Sequence, residues 1–463
     1  MASMKIEQTA NYKRAFKDAD IRGVYPTEID ECVAYTTARA FVEEFGYKKV
    51  VVGYDMRLST PRLKKEFIKG VREAGADVID VGQVHSPLLY FASGKLNLPG
   101  AMITASHSPK EYNGIKLVEA GAVPLTGKTG LNTIAKKISV GEYSEVKKKG
   151  KLVKKNFKKE YLDFVTKEFD KKKYKKIKIL ADVGNGMSSV FIKGLDKKLP
   201  AKFDTLFNKL DGSFPNRGSD PCLSKNQKSL KAKLKAKNYD FGVGFDGDGD
   251  RIAFHDEKGR YINCAVIGAL ISDRLIKQKP KAGIVFTNLT SRVLEETIKE
   301  NGGKAVRARV GHAFLKRKMR ETGAVFGAEH SGHFFFKDFY NTDSVTLTLL
   351  NVLDEYAKAK AEGKTFSQMI KPYLRYEQTE DAVVHVKDKK LVMQKVEEKL
   401  LSMKPKKLTK FDGYFVDFGD VWGAVKPSVT EYAVKLMFEA KKKSEAKKVQ
   451  KELLEFLKKV AKE

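Results

Sequence analysis

Cysteine is nearly absent. Cys32, Cys222 and Cys264 are the only three in a chain of 463 residues. They lie far apart with no ligand spacing, which argues against a metal–thiolate site and fits a reduced, cytoplasmic setting. No stretch approaches the ~18 uninterrupted apolar residues that a membrane-spanning helix needs. The opening MASMKIEQTANYKRAF lacks the apolar centre of a secretion signal. Acid is scarce as well: 58 Asp and Glu stand against 89 Lys and Arg, a net charge of +31. Much of the excess sits in lysine clusters such as KKKGKLVKKNFKK and KKKYKKIK, with few aromatics between them. Base readout favours arginine and single-strand binding favours stacked aromatics, so no specific nucleic-acid partner is expected. The clusters read as solvated helix faces and linkers. A sharper alternative is a field that draws in anionic small molecules. Salt-sensitive contact with nucleic acid would follow from charge alone.

At 42% hydrophobic the chain can bury real cores. Its length predicts three or four domains of the usual ~100–200 residues. Three times an apolar, β-branched run ends in a Gly- or Asn-bearing turn and passes into helix-like sequence. The segments are KKVVVGYDMRLSTPRLKKEFIKGVREAG from Lys48, KIKILADVGNGMSSVFIKGL from Lys176 and AGIVFTNLTSRVLEETIKENG from Ala282. Each reads as buried strand, loop and amphipathic helix, the half-unit of a parallel α/β sheet. Ligands gather at the carboxyl ends of such strands. The basic stretch Gly141–Lys155 reads as a linker, and further breaks fall near the Asp256–Gly259 turn and near Tyr373. After Tyr373 the pattern changes to that of a smaller α+β domain. The expected division is 1–150, 151–257, 258–370 and 371–463.

The strongest local signal is FGVGFDGDGDRIAFHD. An apolar run stops at Asp246, and Asp248 and Asp250 follow at steps of two with glycines between, which lets the backbone curl until three carboxylates converge. Two carboxylates ~4 Å apart repel by ~4 kcal/mol at an effective dielectric near 20, so three together favour a bound cation. All-oxygen ligands suit Mg²⁺ or Ca²⁺ rather than zinc. An EF-hand is excluded: the sixth loop position is Arg251 rather than glycine, and a strand precedes the loop instead of a helix. Mg²⁺ in a phosphoryl-transfer site is the better reading, with Arg251 placed to hold a phosphate oxygen.

TASHSPKEYNGIK, Thr104 to Lys116, has neither the G-x-S-x-G pattern nor a visible Asp/His partner for a hydrolase triad. Ser106 alone would read as a turn former. Beside a cation-binding acid cluster it reads as a group that itself carries the phosphoryl. FGAEHSGHFFF crowds Glu329, His330, Ser331 and His333 onto one glycine-bearing turn, which suits a polyhydroxyl ligand. In VKPSVTEY, Lys426, Ser428 and Thr430 precede helix-like sequence and form a possible phosphate cradle.

Taken in order, DADIRG, VGYDMRLSTP, TASHSPKEYNGIK, DVGNGM, DGSFPN, DGDGDR, RVGHAFLKRKM, GAEHSGH and KPSVTE resemble the α-D-phosphohexomutase superfamily, closest to phosphomannomutase/phosphoglucomutase. The match runs over nearly the whole chain. The resemblance implies an α/β fold: three similar α/β domains with mixed sheets plus a smaller α+β C-terminal domain, around a central cleft. The four would carry in turn the phosphoserine, metal, sugar and phosphate loops. It makes Ser106 the phosphoserine, and Asp246, Asp248 and Asp250 the Mg²⁺ ligands together with the phosphoryl group on Ser106. Arg22, His107, Lys116 and Arg251 would line the reacting phosphate. Arg22 and Lys116 would stabilise charge, and His107 and His333 are candidates for proton transfer. Glu329 and Ser331 would contact sugar hydroxyls, with His312 nearby, and Lys426, Ser428 and Thr430 would hold the other phosphate. The implied reaction interconverts hexose 1- and 6-phosphates of mannose or glucose through a 1,6-bisphosphate, which also serves as activator. A monomer or dimer is implied, with no membrane partner.

Departures from the family pattern are local. Ser108 stands where asparagine is common. The usual Arg-x-Ser-Asn-Thr-Glu-Pro of the C-terminal loop is altered at Lys426, Val429 and Tyr432, and lysine lacks arginine's bidentate fork. YEQTED near Tyr376 departs from Ser-Gly-Glu. Three alternatives stand beside this reading: a phosphoglucosamine mutase, a non-catalytic sugar-phosphate sensor and a polyanion-binding protein.

Overall fold

The computed structural model describes residues 3–5, 8–428 and 432–461. The chain divides into two compact units, residues 1–263 with 331–369 and residues 264–330 with 370–463.

In the first unit, the run from Lys48 forms the Lys49–Tyr54 strand, buried along its middle because both faces of the sheet are covered. It lies between parallel strands Asp77–Gln83 and Gly100–Ile103, and the chain returns antiparallel as Tyr112–Glu119, which pairs in turn with Ile21–Val24. Helices Glu31–Phe45 and Thr60–Glu73 flank this sheet. The first begins where Asp30 accepts the Val33 N–H at 2.8 Å and ends at Gly46, whose φ of 63° is left-handed and costs a residue without Cβ least. The run from Lys176 repeats the plan. Lys178–Asp182 lies between parallel strands Lys202–Leu206 and Phe241–Phe245, and Ile252–Asp256 returns antiparallel. The 331–369 segment contributes the antiparallel pair Phe334–Phe336 and Thr342–Asp343, then helix Val345–Ala361.

In the second unit, the run from Ala282 gives the Gly283–Thr287 strand between parallel strands Lys304–Ala308 and Phe326–Ala328. The three loops singled out in the sequence therefore occupy one structural position. Residues 104–111, 246–251 and 329–333 each follow the third strand of a parallel trio. The C-terminal part is α+β: an antiparallel sheet of Glu377–Gln378, Ala433–Ala440, Val421–Pro427, Tyr414–Asp417 and Lys407–Lys410, with Ala382–His385 also on Ala433–Ala440 and helices Lys389–Ser402 and Lys443–Val460. Its core joins both helices to the sheet through Val396, Leu400, Val434, Phe438, Leu453 and Leu457.

Two expectations need correction. The sequence after VKPSVTEY is not helical: Ala433–Ala440 is a strand of the C-terminal antiparallel sheet, paired with Val421–Pro427, and its apolar residues are buried against that sheet's core. The Gly141–Lys155 stretch is not a bare linker. Glu142–Ser144 pairs with Ser3–Lys5, and Leu152–Lys154 extends the first sheet beside Asp77–Gln83. Its lysines hide this because edge strands carry charge in solvent while the backbone pairs.

Within the second unit, Glu439 of the Ala433–Ala440 strand is 2% exposed and accepts the Arg292 N–H at 3.0 Å, at the start of helix Arg292–Glu300. Burial pushes its carboxyl up to about 7, against the opposing pull of Ser291 and Arg292. A raised carboxyl pKa favours folding fully below the unfolded value near 4.5, and this contribution is lost as pH rises through about 7. Thermal melts from pH 4.5 to 7.5 should lose on the order of 3 kcal/mol of stability from this group. Glu439→Gln should remove that slope; an unchanged slope would refute the assignment.

Candidate active site

The serine loop begins where Gly100–Ile103 ends. Ser106 is 2% exposed and sits at φ 50°, a left-handed conformation costly for a residue with Cβ. Its backbone N–H donates to Thr104 Oγ1 at 3.0 Å. Its hydroxyl donates to Asp246 Oδ2 at 2.8 Å and lies 3.4 Å from Asp250 Oδ1. The two loops approach so closely that a Cβ on Gly247 would lie 2.6 Å from the Ser106 carbonyl oxygen. Glycine is required there for space.

The acid loop is folded by its own first residue. Asp246 Oδ1 accepts the N–H groups of Asp250 at 3.0 Å and Arg251 at 3.1 Å. Lys116, from the return strand, donates to Asp248 Oδ2 at 2.7 Å and Asp250 Oδ2 at 2.5 Å. Ser86 adds a donor to Asp248 Oδ2 at 2.6 Å. All three aspartates and Lys116 are buried. Burial drives Asp246 well above the ordinary carboxylate range, reinforced by Asp250 and Asp248. Burial acts the same way on Asp248 and Asp250, but Lys116 overcomes it and holds both below that range. Burial alone would lower Lys116; the two carboxylates outweigh it and hold the ammonium well above its usual value.

Can this loop accept a cation? Oxygens of Asp246, Asp248 and Asp250 lie within 4.8 Å of one another. Asp248 Oδ1 is buried and has no hydrogen-bond partner among the described residues. An all-oxygen set with one orphaned carboxylate oxygen fits a hard divalent ion, and the cluster is metal-binding in character.

Cationic and donor groups gather around the serine. Arg22 donates to Ser108 Oγ at 3.2 Å and pairs with Asp20. Arg251 Nε donates to His333 Nε2 at 2.9 Å, while His333 Nδ1 faces Asp343 Oδ2 at 3.2 Å and Asp250 Oδ1 at 3.8 Å. Burial, then the fields of Arg251, Arg22, His333 and Lys116, keep His107 well below the usual imidazole range. Ser106, His107, Arg22, Lys116, Arg251, His333 and the three aspartates are thus brought together. Ser331 lies in the same unit, where its carbonyl oxygen accepts Cys222 Sγ at 3.5 Å. Next to it, a Cβ on Gly332 would lie 2.9 Å from the Ile252 carbonyl oxygen, and its φ is 89°.

His312 and Glu329 belong to the second unit. Glu329 is buried and accepts the Gly311 N–H at 3.1 Å, directly before His312 opens helix His312–Thr322. Lys426 and Ser428 are buried in this unit too, and Thr430 lies outside the described residues. The Lys426 ammonium is taken by Asp412 Oδ2 at 2.7 Å, which also accepts the Val310 N–H at 2.9 Å.

Sequence reasoning passed over four contacts: Arg57 beneath the serine loop, Ser86 on Asp248, Asp343 on His333, and Arg217 Nη2 on the Phe245 carbonyl at 2.7 Å, just before the acid loop. Only the Arg57 motif gave a signal. Arg57 lies in VGYDMRLSTP, but an arginine in a loop before a helix ordinarily points to solvent.

Known proteins place this geometry. The chain matches three family models: phosphoglucomutase/phosphomannomutase α/β/α domain I over residues 13–144, domain II over 159–259 and domain III over 264–376. It is 34% identical to a phosphomannomutase of Methanocaldococcus jannaschii over 92% of this chain and 93% of that one. It is 33% identical to a phosphomannomutase/phosphoglucomutase of Pseudomonas syringae pv. tomato, covering 96% and 95%. The crystal structure of a phosphoglucomutase/phosphomannomutase family protein from Burkholderia thailandensis superposes with a TM-score of 0.87 at 30% identity, covering 97% and 98%. The chain belongs to the phosphoglucomutase/phosphomannomutase family of the α-D-phosphohexomutase superfamily.

Proposed function

We propose that this protein is a phosphohexomutase that moves a phosphoryl group between O1 and O6 of a hexose phosphate, with mannose and glucose phosphates as its substrates. One observation carries the reading: the Ser106 hydroxyl donates to Asp246 inside a buried acid cluster, among cationic groups suited to a phosphate. Ser106 rests as the phosphoserine. The free hydroxyl oxygen of a hexose monophosphate attacks its phosphorus, the bond to Ser106 Oγ breaks, and a 1,6-bisphosphate forms. The hydroxyl proton leaves to an imidazole and a proton goes to the departing Ser106 Oγ; His107 and His333 are the candidates, and His333, its Nδ1 facing Asp343, takes a proton on Nε2 once Arg251 Nε releases it for the phosphate. After the bisphosphate turns over, Ser106 Oγ takes the other phosphoryl group and releases the isomeric monophosphate. Glucose or mannose 1,6-bisphosphate then primes any enzyme that has lost its phosphoryl group.

Asp246, Asp248 and Asp250 would hold Mg²⁺, which neutralises phosphate charge when bound. Arg22 and Arg251 hold phosphate oxygens. Lys116 supplies positive charge from the strand behind. Glu329, Ser331 and His312 meet the sugar. Lys426, Ser428 and Thr430 take the phosphate that is not reacting; with Lys426 already paired to Asp412, this clamp rests more on the two hydroxyls. The four-domain division is part of the same proposal.

A side-by-side assay with mannose, glucose and glucosamine 1-phosphates, Mg²⁺ and a trace of the matching 1,6-bisphosphate tests the reading. Turnover of the mannose or glucose ester supports it. Preference for the glucosamine ester would reassign the substrate, and no turnover of any would overturn the proposal.

A further inference from the structure

Arg57 has no part in the chemistry proposed above, yet it is among the largest fully buried side chains. Its guanidinium makes four hydrogen bonds, three to backbone carbonyls of the serine loop and one to Tyr112, the first residue of the strand that follows it. Nη2 donates to Ser106 O at 2.8 Å and Ser108 O at 2.6 Å; Nη1 donates to Pro109 O at 2.7 Å and Tyr112 O at 2.9 Å. The remaining side, Nε, lies 3.3 Å from Asp55 Oδ2. Asp55 is itself fixed, since its Oδ1 accepts the Arg57 N–H at 2.9 Å and the Thr60 hydroxyl at 2.8 Å. A planar fork of five donors is the one side chain that can bind four converging carbonyls at once.

The loop is gripped from a second side. Ser219 Oγ donates to His107 O at 2.5 Å and Ser108 O at 3.0 Å. DGSFPN, a motif without a role so far, encloses the arginine. The Phe214 ring stands 5.3 Å from its guanidinium carbon, and a Cβ on Gly212 would lie 2.7 Å from Arg57 Cα. No side chain but hydrogen fits at that glycine.

We infer that Arg57 is a positioning residue for phosphoryl transfer: with Ser219 and DGSFPN it holds Ser106 in its left-handed conformation, so that Oγ meets the acid loop in the same place in every turnover. The inference rests on the phosphoserine reading. A loop with one non-glycine residue at positive φ relaxes once its carbonyls are released, and misplacing a reacting atom by about 1 Å costs on the order of 100-fold in rate.

The test follows Ser106 phosphorylation by glucose 1,6-bisphosphate and Mg²⁺ with intact-mass spectrometry, beside steady-state kinetics and melting. Arg57→Lys keeps the charge and loses the fork. Its Ser106 should be phosphorylated about 100-fold more slowly, with kcat falling in parallel and KM for the hexose phosphate within about threefold. Ser219→Ala, which removes no charge, should slow the same step about tenfold and serves if Arg57→Lys does not fold. Wild-type rates in both folded variants, or a lowered melting temperature with no change in rate, would overturn the inference while leaving the mutase reading intact. A wild-type protein that takes up no phosphoryl group would overturn the reading itself, and the inference with it.

Discussion

Ser106→Ala should lose mutase turnover by about 10⁴-fold or more while folding normally, because Ser106 Oγ is the atom that carries the phosphoryl group, and the Ser86 hydroxyl, which also reaches the acid loop, is taken up by Asp248 Oδ2. The Ser106 hydroxyl is the donor that reaches Asp246 Oδ2, and its removal leaves the loop's own N–H groups on the other oxygen. Stability should change little. Alanine suffers the same left-handed backbone as serine, so Ser106→Gly is the informative control. At φ 50° glycine is relieved of roughly 1 kcal/mol of strain. The glycine variant should therefore melt at or above the wild type and be as inactive as the alanine variant. Coupled turnover assays and thermal melts on the three proteins check this. Turnover in either variant within tenfold of wild type would be incompatible with a phosphoserine intermediate at this position.

Lys116→Met should produce the second large effect, and it should depend on divalent cation. Lys116 is the donor shared by Asp248 and Asp250, at 2.7 and 2.5 Å, with all three side chains at most 4% exposed. Removing one partner from a buried ionic cluster typically costs ~3–5 kcal/mol, because the remaining charges stay buried and uncompensated. At ~2–4 °C per kcal/mol, the melting temperature in chelator should fall by about 6–20 °C. A cation bound by the acid loop would then take over the neutralisation. Mg²⁺ should raise the melting temperature of Lys116→Met more than that of the wild type. A variant that melts like wild type in chelator, or gains nothing from Mg²⁺, would refute the view that lysine and cation share the task. Turnover should fall at least ~100-fold even in saturating Mg²⁺, since the charge behind the phosphoryl group is gone.

Much of this architecture could be read before any coordinates. The runs from Lys48, Lys176 and Ala282 each formed the expected central strand, because β-branched residues buried on both faces leave little ambiguity. Loop chemistry suggested a cation at the acid triplet, and the resemblance to the phosphohexomutases implied that Ser106 meets it, as the contacts with Asp246 and Asp250 show. A serine, three acids and glycines at every second position make little sense as separate turns. What stayed hidden was set by distant partners. The left-handed backbone of Ser106 is imposed by Arg57 and Ser219, 49 and 113 positions away, and no local pattern announces it. Arg57 and Lys116 look like surface residues in sequence, and only the carbonyls and carboxylates that the fold brings to them make burial favourable. The pairing of Lys426 with Asp412 was not legible, because Asp412 and Val310 lie apart from it in sequence and meet it only in the folded chain. The strands at 142–144 and 152–154 were masked by lysines that face water.

The most direct measurement is peptide mapping of the protein after brief exposure to glucose 1,6-bisphosphate and Mg²⁺, followed by chase with an unlabelled hexose monophosphate. A single phosphoryl group on Ser106 that the chase removes at the turnover rate is the predicted result. A phosphoryl group on any other residue, or one on Ser106 that persists while turnover proceeds, would contradict the account.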